Sequence, residues 1–334
     1  MKIPEPTNTI AQAIYDSYKQ GEPREHLGCS LLGHHCDRWL WLSFRWAVIE
    51  KFNGRILRLF ERGQNEEATV VANLKAIGCE VEGQQYRVDF GNHISGSLDG
   101  VVMSGIPESK KPHVLEIKTH SKKSFDDLVK HGVEKSKPMH YAQMQLYMMG
   151  TNLDRALYFA VCKDNDEIYT ERVRYVKETA SMILERGHRI VSSDRMPEPC
   201  SADPSWYQCK FCPAHSFCHE DHLTKEVNCR TCANVTIKPD SIYCEKYQSA
   251  IPGNAQKSGC EGHVLHPDLV PWDRKESNNE WQAVYIVNGK PVANGEADAN
   301  VYGSKELIAN AAGCAMDDEF MRDARDVLGC RVVG

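Results

Sequence analysis

With 334 residues, a hydrophobic fraction of 41% and a formal charge of −6, the chain has material for about two domains, each with its own core. No apolar run approaches membrane-spanning length, so a membrane-spanning helix is excluded. The start, Met1-Lys-Ile-Pro-Glu-Pro, lacks a hydrophobic signal core, which points to a cytoplasmic protein.

Taken in chain order, residues 8–19 carry Ile10, Ile14, Tyr15 and Tyr18 at helical spacing, and a tryptophan-rich helix is expected over about Leu31–Val48. From Ile56 to Ile77, apolar residues recur every three or four positions. At about 100° per residue, Glu67 lies near the centre of that stripe and Glu66 well off it. A carboxylate on the buried face of an amphipathic helix needs a partner or a metal, whereas Glu66 reads as its solvated neighbour. Strands follow near Gln84–Phe90, His93–Met103 and His113–Thr119.

The third of these strands contains Val114-Leu115-Glu116-Ile117-Lys118, preceded by Gly96-Ser97-Leu98-Asp99-Gly100. Side chains alternate along a strand, so Glu116 and Lys118 share one face while Leu115 and Ile117 enter the core. Taken alone, an E-x-K triplet is a surface ion pair on an edge strand. Combined with Asp99 it becomes two carboxylates for Mg²⁺ or Mn²⁺ and one ammonium for a phosphate, a set suited to metal-assisted phosphodiester cleavage. Downstream, Gln143 and Tyr147 in Tyr141-Ala-Gln-Met-Gln-Leu-Tyr147 are four apart and share a helical face, with His140 a turn earlier.

Asp99 with Glu116-Ile117-Lys118 resembles the signature of the PD-(D/E)XK nuclease superfamily, although Leu98 stands where the usual proline would precede the aspartate. Gln143 and Tyr147 resemble the Q-x-x-x-Y motif of its RecB-like members, and Gly63-Gln-Asn-Glu-Glu67 resembles the G-x-x-x-E of lambda-type exonucleases. The resemblance covers about residues 25–220. It implies an α/β, restriction-endonuclease-like core with a mixed sheet flanked by helices. It also implies Glu67, Asp99, Glu116 and the carbonyl of Ile117 as metal ligands, Lys118 beside the phosphate, and Gln143 and Tyr147 positioning a DNA end.

Between Lys110 and His140 there are eight lysines against four acids. This strip could follow a DNA backbone or form a solvated lysine-rich loop. A strand pair over Ala156–Cys162 and Ile168–Tyr175 and a helix near Val176–Ser192 lead to the cysteine-rich part. No internal repeat or low-complexity tract is present.

Fourteen cysteines without an export signal call for metals rather than disulfides. Cys79 and Cys162 lie in apolar contexts and read as core, Cys200 reads as a loop thiol, and Cys314 and Cys330 stand alone. Cys209-x2-Cys212-x5-Cys218 needs a fourth ligand, for which Cys36 and Cys29 are the candidates. A distant N-terminal cysteine with C-x2-C-x5-C is similar to the iron–sulfur staple of the CRISPR-associated exonucleases and the AddB nuclease subunit. That resemblance favours Cys36 and a [4Fe–4S] cluster, with a four-cysteine zinc site as the alternative.

A second set reads C-x2-C-x11-C-x15-C-x2-H-x2-H from Cys229 to His266. Cys229, Cys232, Cys244 and Cys260 are the expected zinc ligands, with His263 as substitute. The segment up to Trp272 is poor in apolar residues, so metal should supply much of its stability. After it come a strand at Trp281–Val287, an Asn288-Gly289 turn and helices near Ser304 and Asp317.

The expected organisation is therefore a nuclease domain over 1–222 and a small zinc-binding α+β module over 223–334, of a kind similar to tails of phage and prophage proteins. The expected activity is a metal-dependent DNA exonuclease acting at DNA ends, with a recombination or annealing protein as partner and no membrane. An endonuclease, and a catalytically silent DNA-binding adaptor, are the rival readings.

Overall fold

The computed structural model describes residues 9–298, 300–309 and 318–330. Cys314 and the Met1–Pro6 start lie outside the described residues. The described chain forms two compact units, one of residues up to His34 with Glu50–His188, the other of His35–Ile49 with Arg189 onward. No described helix is long and apolar enough to cross a membrane.

The first unit is built on a five-stranded mixed sheet. Its order is Glu80–Glu82, Gly100–Ser104, His113–His120, Arg155–Cys162 and Ile168–Arg174. His113–His120 and Arg155–Cys162 run parallel, and the remaining neighbours are antiparallel. A parallel pair needs a crossover, here supplied by helices Lys122–Ser136 and Pro138–Thr151. The lysine-rich strip is thus largely helical rather than a loop. Its first helix is broken at Gly132 (φ 75°), a conformation suited to glycine, where the Glu171 carboxylate takes the Val133 N–H at 2.8 Å.

Helix Gly54–Ala76 is capped by the Asn53 side chain, which accepts the Ile56 N–H. Its Val70, Val71 and Leu74 pack with Leu115, Ile117, Leu157, Phe159 and Val161 in one core, where Cys79 is also buried. The opposite sheet face carries Glu116, Lys118 and His120. The expected single strand His93–Met103 divides at Leu98-Asp99 into Ile94–Ser97 and Gly100–Ser104, which join different sheets.

In the second unit, the expected long tryptophan-rich helix is confined to Asp37–Phe44. It cannot continue because Trp46 adopts a left-handed φ of 51°. Its backbone carbonyls serve residues far along the chain. Thr224 Oγ1 donates to Ala47 O at 2.7 Å, Asn228 Nδ2 to Trp46 O at 3.1 Å and Arg230 Nη1 to Phe44 O at 2.8 Å. Beyond these lie a three-stranded sheet (Val235–Lys238, Ser241–Cys244, Ser249–Ala250) and a four-stranded one, which includes Ala283–Val287 and Lys290–Asn294 around the Asn288-Gly289 turn. Val264, Leu265 and Val270 join Ala283, Tyr285 and Val287 in a hydrophobic cluster. The latter part of the cysteine segment therefore has a core after all.

Candidate active site and cysteine clusters

Strand register assembles the first site. Gly100 pairs with Leu115 in an antiparallel ladder, which brings Asp99 beside Glu116 and Ile117. Asp99 Oδ2 accepts the Ile117 N–H at 2.7 Å and lies 4.0 Å from Lys118 Nζ. Lys118 Nζ bonds the Glu116 carboxylate through Oε1 and the Ile117 carbonyl at 3.2 Å. Opposite Lys118 in the parallel ladder stands Ala160, whose small side chain leaves room for it.

Glu116 is fully buried, and its Oε2 has no hydrogen-bond partner. Such an oxygen is costly unless a further positive group takes it. Burial pushes the Glu116 carboxyl up to about 7, Asp99 and Glu67 add to that, and Lys118 opposes it. Lys118 is itself held above the usual lysine value, because its three acidic neighbours outweigh its burial. Glu67 feels both Asp99 and Lys118, burial raises its carboxyl, and its Oε2 accepts from Gln85 Nε2 at 3.5 Å. Glu67 rather than Glu66 is thus the helix acid that shares this electrostatic neighbourhood.

Gln143 and Tyr147 are buried on helix Pro138–Thr151. Gln143 Nε2 donates to Tyr147 Oη at 3.2 Å, and Tyr147 Oη donates to Ser97 O at 2.8 Å. They brace the turn that carries Asp99. A Cβ at Gly96 would meet Tyr147 Oη at 2.7 Å, so this contact requires glycine there.

Sequence reasoning missed a polar chain on the same sheet face. Tyr158, paired in register with Glu116, has its Oη 2.9 Å from His120 Nε2 and 2.8 Å from His140 Nδ1, while Ser124 Oγ is 3.2 Å from His120 Nδ1. The signal was present in the alternation Glu116, Lys118, His120 and in His140 one turn before Gln143.

Burial, followed by neighbouring lysine charges, lowers His120 to about 4 and His140 to about 3. Both stay neutral when folded, but in the unfolded chain they take up protons below about 6.5. Stability contributed by these two histidines is therefore lost as pH falls from about 6.5 toward their depressed values. Glu116, raised when folded, works in the opposite sense between about 4.5 and 7. Below about pH 6.5 the histidines outweigh Glu116, so the net effect in this unit is a loss of stability. Denaturant midpoints measured from pH 7 to pH 5 should fall accordingly, and an unchanged midpoint would show that the histidines are charged in the fold.

Nine cysteines of the second unit gather in two places. Cys36, Cys209, Cys212 and Cys218 line a cavity of about 20 Å³, and Cys200 lines it with them. Cys200 lies in a loop, as its sequence context suggested, and also lines this cavity. Burial pushes the Cys212 thiol up to about 11, and Arg38 hydrogen-bonds Cys218. The rival Cys29 is fully buried elsewhere, with its backbone N–H on Ser95 O and its side chain against Gly96.

Cys229, Cys232, Cys244 and Cys260 line a cavity of about 310 Å³. Burial pushes the Cys232 thiol up to about 12, and the N–H groups of Val264 and Asn234, each 3.4 Å from its Sγ, partly oppose that rise. His263 is engaged at both ring nitrogens, with Ser304 Oγ at 2.8 Å and Asn228 O at 3.0 Å. His266 Nδ1 accepts the Asp268 N–H at 3.2 Å, and its ring packs edge-on to Trp41. Neither histidine is poised as a ligand. Among the described residues, no three His, Cys, Asp or Glu donors already converge on one coordination point, so any metal at these sites would draw side chains inward.

The sequence profile of the PD-(D/E)XK nuclease superfamily matches residues 11–219. The chain belongs to this superfamily. The match includes every candidate residue of the carboxylate site and the first cysteine set, while the second set lies beyond it. Two solved structures similar to this PD-(D/E)XK chain are an alkaline exonuclease from Laribacter hongkongensis and a phage-related exonuclease from Haemophilus somnus 129PT. The first has 17% identity and a TM-score of 0.36, covering 51% of this chain and 87% of its own. The second has 18% identity and a TM-score of 0.34, covering 50% and 94%. Among curated proteins, no match is found.

Proposed function

We propose that this PD-(D/E)XK protein is a metal-dependent deoxyribonuclease that degrades DNA from its ends, of the iron–sulfur exonuclease type and of phage or prophage kind, acting in the cytoplasm. The observation that carries the reading is the buried Glu116 with its orphaned Oε2, set against Lys118 and Asp99. Glu67, Asp99, Glu116 and the Ile117 carbonyl would hold Mg²⁺ or Mn²⁺, hard cations that take oxygen ligands. Held there, such a cation would supply Lewis-acid stabilisation of the charge that develops as the phosphodiester is cleaved. Lys118, kept charged by its acidic neighbours, orients the attacking water or a phosphate oxygen by donating hydrogen bonds. Gln143 and Tyr147 fix the Asp99 turn, and through it the DNA end.

Cys36, Cys209, Cys212 and Cys218 would hold a [4Fe–4S] cluster, which four thiolates fit in chemistry and number. Joining Cys36 to Cys209 across more than 170 residues restrains the unfolded chain. Cys229, Cys232, Cys244 and Cys260 would hold zinc, supported by the N–H groups that face Cys232 Sγ.

We divide the chain by chemistry at about residue 222, with the nuclease before it and a metal-binding module for a recombination or annealing partner after it. The division is not one of packing, since Thr224, Asn228 and Arg230 bond to the 44–47 backbone.

Comparing linear with covalently closed circular duplex DNA in Mg²⁺ or Mn²⁺ tests the function. Loss of the linear form with the circle intact is expected. Cutting of the circle would indicate an endonuclease instead, and no cutting of either, with DNA still bound, would indicate the silent adaptor.

A further inference from the structure

Four polar groups make one continuous path on the sheet face that carries Glu116 and Lys118. Ser124 Oγ lies 3.2 Å from His120 Nδ1, His120 Nε2 2.9 Å from Tyr158 Oη, and Tyr158 Oη 2.8 Å from His140 Nδ1. Tyr158 and His120 are buried, and His140 is half-buried at the end of the path. The last nitrogen, His140 Nε2, makes no hydrogen bond among the described residues and is not sealed from solvent.

This open end lies close to the acids. Tyr158 pairs with Glu116 in the parallel ladder, and Lys118 is the charge that acts most strongly on the His140 ring. His140 stands three residues before Gln143 and seven before Tyr147, so the three share one face of helix Pro138–Thr151.

Tyr158 and each neutral imidazole carry one proton apiece, so only two directions satisfy every contact along the path. Either all the protons point toward Ser124 and His140 Nε2 is an acceptor, or all point toward His140 and Nε2–H is a donor. Phosphodiester oxygens only accept, so a DNA backbone at this nitrogen selects the second direction. Ser124 then donates to His120 Nδ1, His120 Nε2 to Tyr158 Oη, and Tyr158 Oη to His140 Nδ1. Burial keeps both rings neutral, and a neutral imidazole N–H polarises an oxygen without placing a second positive charge beside Lys118.

We propose that His140 is a catalytic residue whose Nε2–H donates a hydrogen bond to a phosphate oxygen of the DNA, with Tyr158 and His120 as positioning residues that act through it. The proposal rests on the deoxyribonuclease reading. Tyr158 holds the ring by Nδ1 and so keeps the proton on Nε2, while His120 and Ser124 keep the Tyr158 proton directed at His140. No proton changes owner between substrate and path in this role.

The test is a double-mutant cycle on the full-length chain, reading kcat/KM on linear duplex DNA in Mg²⁺, with thermal melts as the check on folding. His140→Ala should lose about 10- to 100-fold, the range for one hydrogen bond to a charged group. Tyr158→Phe should lose roughly fivefold in the wild-type background, as for one neutral hydrogen bond. In the His140→Ala background it should cost nothing further, because a residue acting through His140 has nothing left to position. Losses that simply add would make Tyr158 structural and overturn the path. Should Tyr158→Phe fail to fold, His140→Gln decides, since its amide can donate from about the same place and should recover most of what alanine loses. Glutamine as impaired as alanine would overturn the contact. Wild-type protein that cleaves no DNA would overturn the deoxyribonuclease reading and the proposal with it, whereas an active wild type with an unimpaired His140→Ala would overturn the proposal alone.

Discussion

Asp99→Ala and Glu116→Gln should abolish DNA degradation while leaving a folded protein. Each removes a carboxylate that would hold the catalytic cation, and the transition-state stabilisation a cation supplies is several kcal/mol. The expected loss in kcat/KM is therefore about a thousandfold or more. Glu116→Gln is the better variant at its position. Glutamine preserves the buried shape and still offers Lys118 an acceptor, whereas alanine would leave a largely buried ammonium without its first partner. Lys118→Ala should lose less, because it removes a donor and not a ligand. Nuclease assays on linear DNA, with thermal melts alongside, measure both parts. Near wild-type cleavage by either carboxylate variant would remove that residue from catalysis.

Stripping the second cysteine set should have the next largest effect, this time on folding. Between Cys229 and Cys260 the buried apolar side chains are few, chiefly Val235, Ile237 and Ile242, and the three strands there are two to four residues long. Structural zinc in small modules contributes about 10–16 kcal/mol of binding free energy, far more than such a core can. Cys232→Ser should release about one zinc per chain and expose Val235–Ala250 to proteolysis. The Val264–Val287 cluster should persist on its apolar packing, with the Val264 N–H bond to Cys232 Sγ the contact most exposed to the change. Elemental analysis and limited proteolysis measure the two outcomes. A variant that loses its zinc and stays protease-resistant would show that the strands fold without metal.

Much of the carboxylate site could be read from the sequence because its parts are close along the chain and obey strand alternation. Glu116 and Lys118 two apart, and Asp99 at the previous turn, already specify one face and one edge. The Glu67 side of its helix followed from periodicity alone. What escaped reading depended on distant pairing. In the His120–Tyr158–His140 chain only the two histidines were signalled locally, because Tyr158 enters through a parallel register that no local pattern encodes. The break at Gly132 depends on Glu171 reaching back from another strand. Cys200 lies outside the C-x2-C-x5-C spacing and declares itself only through its nearness to Cys209. The expected Leu31–Val48 helix was too long because hydrophobic content does not reveal the left-handed turn at Trp46.

The crossover between His113–His120 and Arg155–Cys162 also orders events in time. Asp99 and Glu116 belong to neighbouring antiparallel strands, a pairing that closes a short loop and forms readily. Of the partners facing them, Gln143 and Tyr147 arrive with the second crossover helix, and Tyr158 only when the chain has returned in parallel. During synthesis the acids proposed to hold the cation can thus pair before the whole surface facing them exists. A half-made chain would carry those proposed ligands without the groups proposed to position DNA, until the last core strands have docked.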